Sequence, residues 1–425
     1  MLFQLLLYST LAIAVTPTHR LKQSIINRKY DMDVRPVLNL EDVTTVTVTP
    51  NKYVLLMMDQ QQETMRFLQE FLITWEDPHL TWNRTDYGYK KDWIKIPESI
   101  VWTPDVIFQS AIDREGMVPL EERMIDLKYD GTLRQSNPSV IELPCSLRIE
   151  DFPFDVQKCS MSIGSWNFDD SQILMKTSTD RILPVEGRFE GNSEWELVGV
   201  EAVDEKILDA FTQGLYSVTT YKVTLKRKPV YYVLVIQAPT FIVSTLTIFG
   251  LFTPFSQHSF RKEKVTLGLN MFVSISMMLN LVSDMMPKAS RLPLLGNYIL
   301  AEIFVCGSAV LVSIFILTLH QKCHTRALKP PQWLLRVILF RCSVKIEAND
   351  TSRNFITENT SNHRPFGKIQ DTLKKTSQIV QEELQYCETV DKLRKLWLHV
   401  FDRLDLLCLI LFQLFNIIAS ALFMR

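Results

Sequence analysis

Two rhythms of hydrophobic and polar positions divide the chain. From residue 20 to about 228, apolar residues recur at every second position in short segments separated by turn residues. Thr44-Thr45-Val46-Thr47-Val48-Thr49 is one; Tyr221, Val223 and Leu225 alternating with Lys222, Thr224 and Lys226 is another. A period of two places successive side chains on opposite faces of a strand. Short strands sustained over about two hundred residues predict an antiparallel β-sandwich, preceded by a short helix around Leu21 to Tyr30. Beyond residue 228 four apolar segments follow: Pro229 to about Phe252, Glu263 to Asp284, about Leu294 to Leu319, and about Leu404 to Phe423. As helices, each is long enough to cross the roughly 30 Å hydrocarbon core of a bilayer. Between the last two the chain is polar, with Pro330-Pro331 and a Ser/Thr/Asn-rich linker around 349–365. From Gly367 to Val400, Ile369, Leu373, Ile379, Val380 and Leu384 restore helical spacing, which predicts an amphipathic helix running into the last span.

Residues 1–14, MLFQLLLYSTLAIA, end in Ala12-Ile13-Ala14, the small-x-small pattern of a signal-peptidase site; a membrane anchor is the rival reading, for which the run is short. The expected division is a signal peptide over 1–14, an extracellular sandwich over 15–228, three spans within 229–320, a cytoplasmic loop over 321–397 and a last span within 398–425. Arg261, Lys262 and Lys264 after the first span, and Lys322 and Arg326 after the third, place those loops inside and both mature termini outside. Asn83-Arg84-Thr85 is then a glycosylation sequon on the outer side, whereas those at Asn349 and Asn359 lie inside.

Composition narrows the function. The chain is 47% hydrophobic with a formal charge of -1, so nothing draws it as a whole towards nucleic acid. With 13 glycines it has no Gly-rich phosphate loop, and it has no HExxH, CxxC or nucleophile elbow. Neither an enzyme nor a cofactor or metal site is expected.

The second span carries chemistry. Glu263, Thr266, Asn270, Val273, Met277, Asn280 and Asp284 share one helical face, with a carboxylate at each end. At 1.5 Å per residue those acids lie roughly 32 Å apart, one at each membrane surface. A buried helix with a few satisfied polar groups is the plainer reading. Several copies facing a common axis would instead line a water-filled pore, charged at its mouths and apolar near Val273.

Cys145 and Cys159 enclose thirteen residues, SLRIEDFPFDVQK, which in a secreted domain reads as a disulfide-closed loop; two free buried thiols are the alternative. With Phe152-Pro153-Phe154-Asp155 inside it, the loop resembles the signature of the Cys-loop pentameric ligand-gated ion channels. Arg35-Pro36-Val37, Trp82-Asn83, Trp102-Thr103-Pro104-Asp105, Trp166, Pro239, Pro293-Leu294-Leu295-Gly296 and Asp402-Arg403-Leu404 also fall where that family has such residues. The resemblance covers nearly the whole mature chain and is closest to nicotinic acetylcholine receptor-like subunits. It implies a plasma-membrane pentamer, homomeric or with other subunits, in some members postsynaptic, opened by a small-molecule agonist. It makes Cys145–Cys159 a disulfide and puts Asp155 and Arg227 at the junction with the pore, facing the 287–293 link.

Departures from the family pattern set the finer expectations. Glu263 before Lys264 resembles the inner ring of cation-selective members, although Arg261-Lys262 replaces a small neutral pair and Val273 stands where leucine is common. Of the aromatic acetylcholine box, Trp166 and Tyr216 are kept; Gln109 replaces a tyrosine, Glu70 a tryptophan, and the loop from Leu208 to Leu215 lacks paired cysteines. Three readings follow: a non-alpha subunit that borrows a partner's agonist site, a proton-gated subunit, or a non-conducting assembly partner. Some invertebrate relatives without the paired cysteines are proton-gated. The titratable candidates are Glu70, His79 and Glu302, with Asp113, Asp169, Asp170 and Asp209 nearby.

Overall fold

A computed structural model describes residues 16–27, 30–87, 91–210, 213–253, 260–288, 291–326, 331 and 365–424. The expected signal peptide at 1–14, the linker up to residue 364 and the tip of the 208–215 loop at 211–212 lie outside these residues. The chain forms two compact units: one from the N-terminal part to Tyr231 with Asp284–Pro293, the other from Tyr232–Ser283 with Leu294 onward.

The first unit opens with α1 (Pro17–Asn27), earlier than the helix expected near Leu21 to Tyr30, and anchors Leu21 in the core. Fourteen strands follow: β1 (Thr44–Asp59), β2 (Thr64–Glu76), β3 (Trp93–Pro97), β4 (Val106–Phe108), β5 (Asp113–Gly116), β6 (Met124–Lys128), β7 (Thr132–Ser136), β8 (Ser139–Pro144), β9 (Val156–Ser165), β10 (Ile173–Thr177), β11 (Arg181–Ile182), β12 (Phe189–Glu190), β13 (Trp195–Leu208) and β14 (Leu215–Arg227). A short α2 (Arg84–Tyr87) lies between β2 and β3. One sheet runs β10-β1-β2-β7-β6-β3, with β12 on β1 and β8 bridging β2 and β5; the other runs β11-β13-β14-β9-β4.

The alternation seen in the sequence is the reason for this layering. In β14 Tyr221, Val223 and Leu225 turn inward and are fully buried. An aromatic chain ties the sheets together: Tyr53 lies 4.9 Å from Phe67, and Phe71 lies 5.9 Å from Phe108 and 5.2 Å from Tyr221. The Cys145–Cys159 disulfide joins the end of β8 to β9, sheet to sheet. Pro50, which has no N–H to give a ladder, sits at a bulge in β1, between the stretch paired to β10 (to Val48) and the stretch paired to β12 (from Tyr53).

The second unit holds four helices long and apolar enough to cross a membrane. The first combines α3 (Val230–Tyr232), a π turn over Val233–Gln237 and α4 (Ala238–Phe252), with Pro239 at the start of α4. Next come α5 (Phe260–Met285) and α6 (Leu294–Arg326), the latter one turn and more beyond the expected end at Leu319. The amphipathic segment and last span are one unbroken helix, α7 (Pro365–Phe423). Phe252 and Phe412 stack at 5.3 Å, and Tyr298 packs 5.0 Å from Phe423. Gly268 lets α5 approach its neighbours: a Cβ there would stand 2.8 Å from Val310 Cγ2 and 3.0 Å from Leu251 Cδ2. Gly268→Ala is therefore expected to cost about 1–3 kcal/mol by overpacking, read as a lower unfolding temperature of the purified protein. An unchanged temperature would mean that these helices part freely.

Candidate functional site

Three groups of residues come out of this fold, and the first surrounds Trp166. The chain leaves β9 at Ser165, and the next residues wrap around the carboxylate of Asp105, which precedes β4. Asp105 accepts from Ser165 Oγ (2.6 Å), Trp166 N (3.1 Å), Asn167 N (2.7 Å) and Asn167 Nδ2 (2.9 Å). Four donors at the turn are thus satisfied by one side chain, and Trp166 is left 66% exposed. Gln109 donates its backbone N–H to Ser162 O (2.9 Å). Its side-chain amide lies against Gly164, where a Cβ would meet Gln109 Nε2 at 3.2 Å and Val218 Cγ1 at 2.8 Å. Tyr216 sits half-buried on β14 opposite Ile207. Trp166, Gln109 and Tyr216 thus belong to the second sheet and its edge. Glu70 belongs to the first, on β2, accepting from Ser136 Oγ at 3.0 Å.

The acids expected around this region are mostly engaged. Asp170 pairs with Lys206 at 2.7 Å, and Asp169 caps the following turn through Ser171. Asp209 and Gln213 close the stem of the β13–β14 hairpin, while Asp113 holds Arg114 N at 2.8 Å. His79 lies elsewhere in the sandwich, its Nδ1 3.4 Å from the buried Asp77. Asp77 also accepts from Tyr30 Oη (2.6 Å) and His79 N (2.8 Å). Burial raises its pKa, and those hydrogen bonds only partly oppose the rise. Asn83 is exposed, its side chain accepting from Thr85 N and Oγ1.

The second group lies along α5. Glu263, Thr266, Asn270, Val273, Met277, Asn280 and Asp284 are all exposed in the single chain, whereas Gly268, Ile275 and Val282, seven residues apart, are buried. A spacing of seven returns to the same helical face, so the polar stripe and the packed stripe are separate. The side chains of Arg261 and Lys262 lie outside the described residues. Glu302 is not on this stripe: it is fully buried in α6, with Ser244 of α4 as a polar neighbour.

The third group surrounds Arg227, the last residue of β14, whose side chain is fully buried. Its Nε donates to Asp155 Oδ1 at 2.7 Å and its Nη2 to Asp155 Oδ2 at 3.2 Å, while Nη1 donates to Glu194 Oε1. The guanidinium lies 4.0 Å from the centre of the Trp195 ring and 4.7 Å from that of Phe152. Asp155 and Arg227, expected together at the junction with the pore, pair with each other. Glu150 of the cystine loop also reaches the link, its carboxylate meeting Arg291 at 3.0 Å. Glu194 and the Glu150–Arg291 pair carry no motif and could not be picked from one sequence. Removing one partner of a buried pair strands the other charge, at a cost of about 3–5 kcal/mol. Asp155→Ala is expected to lose that much stability, seen as reduced surface protein and a lowered unfolding temperature. Arg227→Met combined with Asp155→Leu should recover part of it. A double variant as poor as the single one would show that charge stranding is not the cause.

Residues 18–229 match the family described as the neurotransmitter-gated ion-channel ligand binding domain. Among individual proteins, the Rattus norvegicus neuronal acetylcholine receptor subunit alpha-9 is 26% identical over 371 residues, covering 86% of this chain and 75% of that protein. The Oncorhynchus mykiss subunit alpha-9-II is 28% identical over 310 residues, 73% of this chain and 55% of its own length. The Caenorhabditis elegans proton-gated ion channel subunit pbo-6 is 28% identical over 288 residues, 67% of each. The chain thus spans from about half to three quarters of these relatives. With its sandwich, its Cys145–Cys159 loop and four candidate spans, the chain belongs to the nicotinic branch of the Cys-loop ligand-gated ion channels, as a membrane-spanning channel subunit with an extracellular ligand-binding domain.

Proposed function

We propose that the chain forms part of a cation-selective pentameric pore and does not by itself supply a complete acetylcholine site. The observation that carries this reading is the exposed stripe on α5. A helix in a bilayer does not leave Thr266, Asn270 and Asn280 unburied unless they face water. Five copies around an axis give that water a channel, and carboxylates at Glu263 and Asp284 concentrate cations at its two mouths. On the agonist face a quaternary ammonium needs aromatic faces on several sides. Trp166 and Tyr216 provide two; Gln109 and Glu70 offer an amide and a carboxylate where box aromatics would stand. A partner subunit then completes the site, which makes this a non-alpha member of a heteromer.

Proton gating is a second reading, favoured by the pairing of His79 with the buried Asp77 and by the likeness to the proton-gated relative. The raised pKa of Asp77 means that it takes up a proton at a higher pH than an unfolded aspartate does. Its native form is therefore stabilised as pH falls from above its folded pKa towards the unfolded value of about 3.9.

Two recordings separate these readings. Reversal potentials under sodium and chloride replacement are expected to follow sodium, and Glu263→Gln to cut cation conductance several-fold; a reversal potential that follows chloride refutes the cation pore. In the same cells, acetylcholine is expected to evoke current only when related subunits are co-expressed. Current evoked by acid alone, with an activation midpoint displaced by Asp77→Asn, would establish the second reading instead.

A further inference from the structure

Glu302, in the third turn of α6, is off the polar stripe of α5 and is fully buried by the chain's own helices. Both Oε1 and Oε2 are closed to solvent and lack a hydrogen-bond partner. Among the described residues no cation answers it. The first span has no Asp, Glu, Lys, Arg or His from Pro229 to Phe252, α5 has none between Lys264 and Asp284, and α7 has none between Asp405 and Phe423. Along α6 the next such residue is His320, about five turns further on.

What surrounds Glu302 is neutral. Tyr298 and Cys306, one turn before and one after, share its face of α6, and both are buried. Ser244, also buried, approaches from α4 without reaching hydrogen-bonding geometry. On the α7 side, Ser420 adjoins Tyr298 and accepts from Gln237 Nε2 at 3.4 Å, while Gln237 Oε1 stays buried without a donor. The cluster is thus rich in acceptors and holds no positive charge. Taking a carboxylate out of water without a cation costs more than placing a proton on it, so such a group neutralises. A proton also needs no room, and burial leaves none at either oxygen.

We propose that Glu302 is a proton-binding site inside the helix bundle. In the packed arrangement of α4, α6 and α7 it is a neutral acid whose O–H turns to Ser244 Oγ, joining α6 to α4 by a hydrogen bond. The ionised form needs water, which reaches it only where those helices part. The proton is therefore part of what keeps the three helices together, and a rearrangement that admits water to Glu302 releases it. This holds whichever agonist opens the pore, and it is separate from Asp77 and His79, which lie in the sandwich.

Infrared spectra of the purified full-length channel at neutral pH test the charge state directly. Wild type is expected to show the C=O stretch of a protonated carboxyl, absent from Glu302→Gln and shifted in wild type that carries isotope-labelled glutamate. The label distinguishes Glu302 from any protonated aspartate, Asp77 included. Unfolded glutamate has a pKa of about 4.3. Heat unfolding in weakly buffered neutral solution is therefore expected to abolish the band and to release about one proton per chain more from wild type than from Glu302→Gln. Glutamine copies the shape of the neutral acid, and size exclusion verifies that the variant assembles. If it does not, the isotope-shifted band and its loss on unfolding decide alone. The inference is overturned if the folded wild type lacks the glutamate band, or if wild type and variant release equal numbers of protons.

Discussion

A buried guanidinium fixes more of this protein than any other single group. Desolvating Arg227 costs several kcal/mol unless partners meet its donors. Two carboxylates and two ring faces do so, drawn from the cystine loop, from the residue before β13 and from β13 itself. Each partner is held in turn. Gln157 Nε2 donates to Asp155 at 2.6 Å while both ends of its amide clamp Arg148, and Gln60 Nε2 donates to Glu194 at 2.9 Å. The end of β14, the base of the β1–β2 turn and the loop that carries Glu150 therefore cannot shift independently. Arg227 lies three residues before α3.

The surface around Trp166 follows the opposite rule. Asp105 gathers four donors so that Trp166 can remain uncovered, an arrangement with unspent aromatic surface. Large exposed rings on a single chain mark places that another chain or a ligand covers. Gly164 has the same logic at smaller scale, because its missing side chain makes room for Val218 and for the amide of Gln109. Gln109 and Glu70 are thus accommodated in the packing, the first in the space Gly164 leaves and the second against Ser136.

Periodicity made the architecture legible. Alternation gave the sheets, apolar length gave the spans, and FPFD between two cysteines gave the cystine loop. Boundaries were less visible: α6 continues past Leu319 because its polar tail still favours helix, and α7 has no break because nothing between Trp397 and Leu404 interrupts helical hydrogen bonding. Pairing was the least visible. Asp155 and Arg227 were found by motif, but their third partner Glu194 was not, since a sequence shows charge without showing which charges the fold brings together. Glu194 and Glu150 sit in unrelated turns, and no spacing rule joins them to Arg227 or Arg291.

The helix bundle shows why one copy of this chain is unfinished. On the packed side, polar groups find partners across helices: Asn416 Nδ2 donates to Thr245 Oγ1 at 3.0 Å, and Thr240 and Thr247 return their hydroxyls to carbonyls of their own helix at 2.7 Å. Such pairing is what a low-dielectric surrounding demands. On α5 one face packs against the other helices, through Leu267, Gly268, Phe272, Ile275 and Val282, and the opposite face stays exposed in the single chain. The side-chain amides of Asn270 and Asn280 and two terminal carboxylates remain outside any protein contact that would stabilise them in lipid. Water must reach them, and water inside a bilayer requires an enclosing wall. Under the proposed pore, copies of the same stripe provide that wall, and the polarity that destabilises an isolated helix becomes the lining of the assembled one.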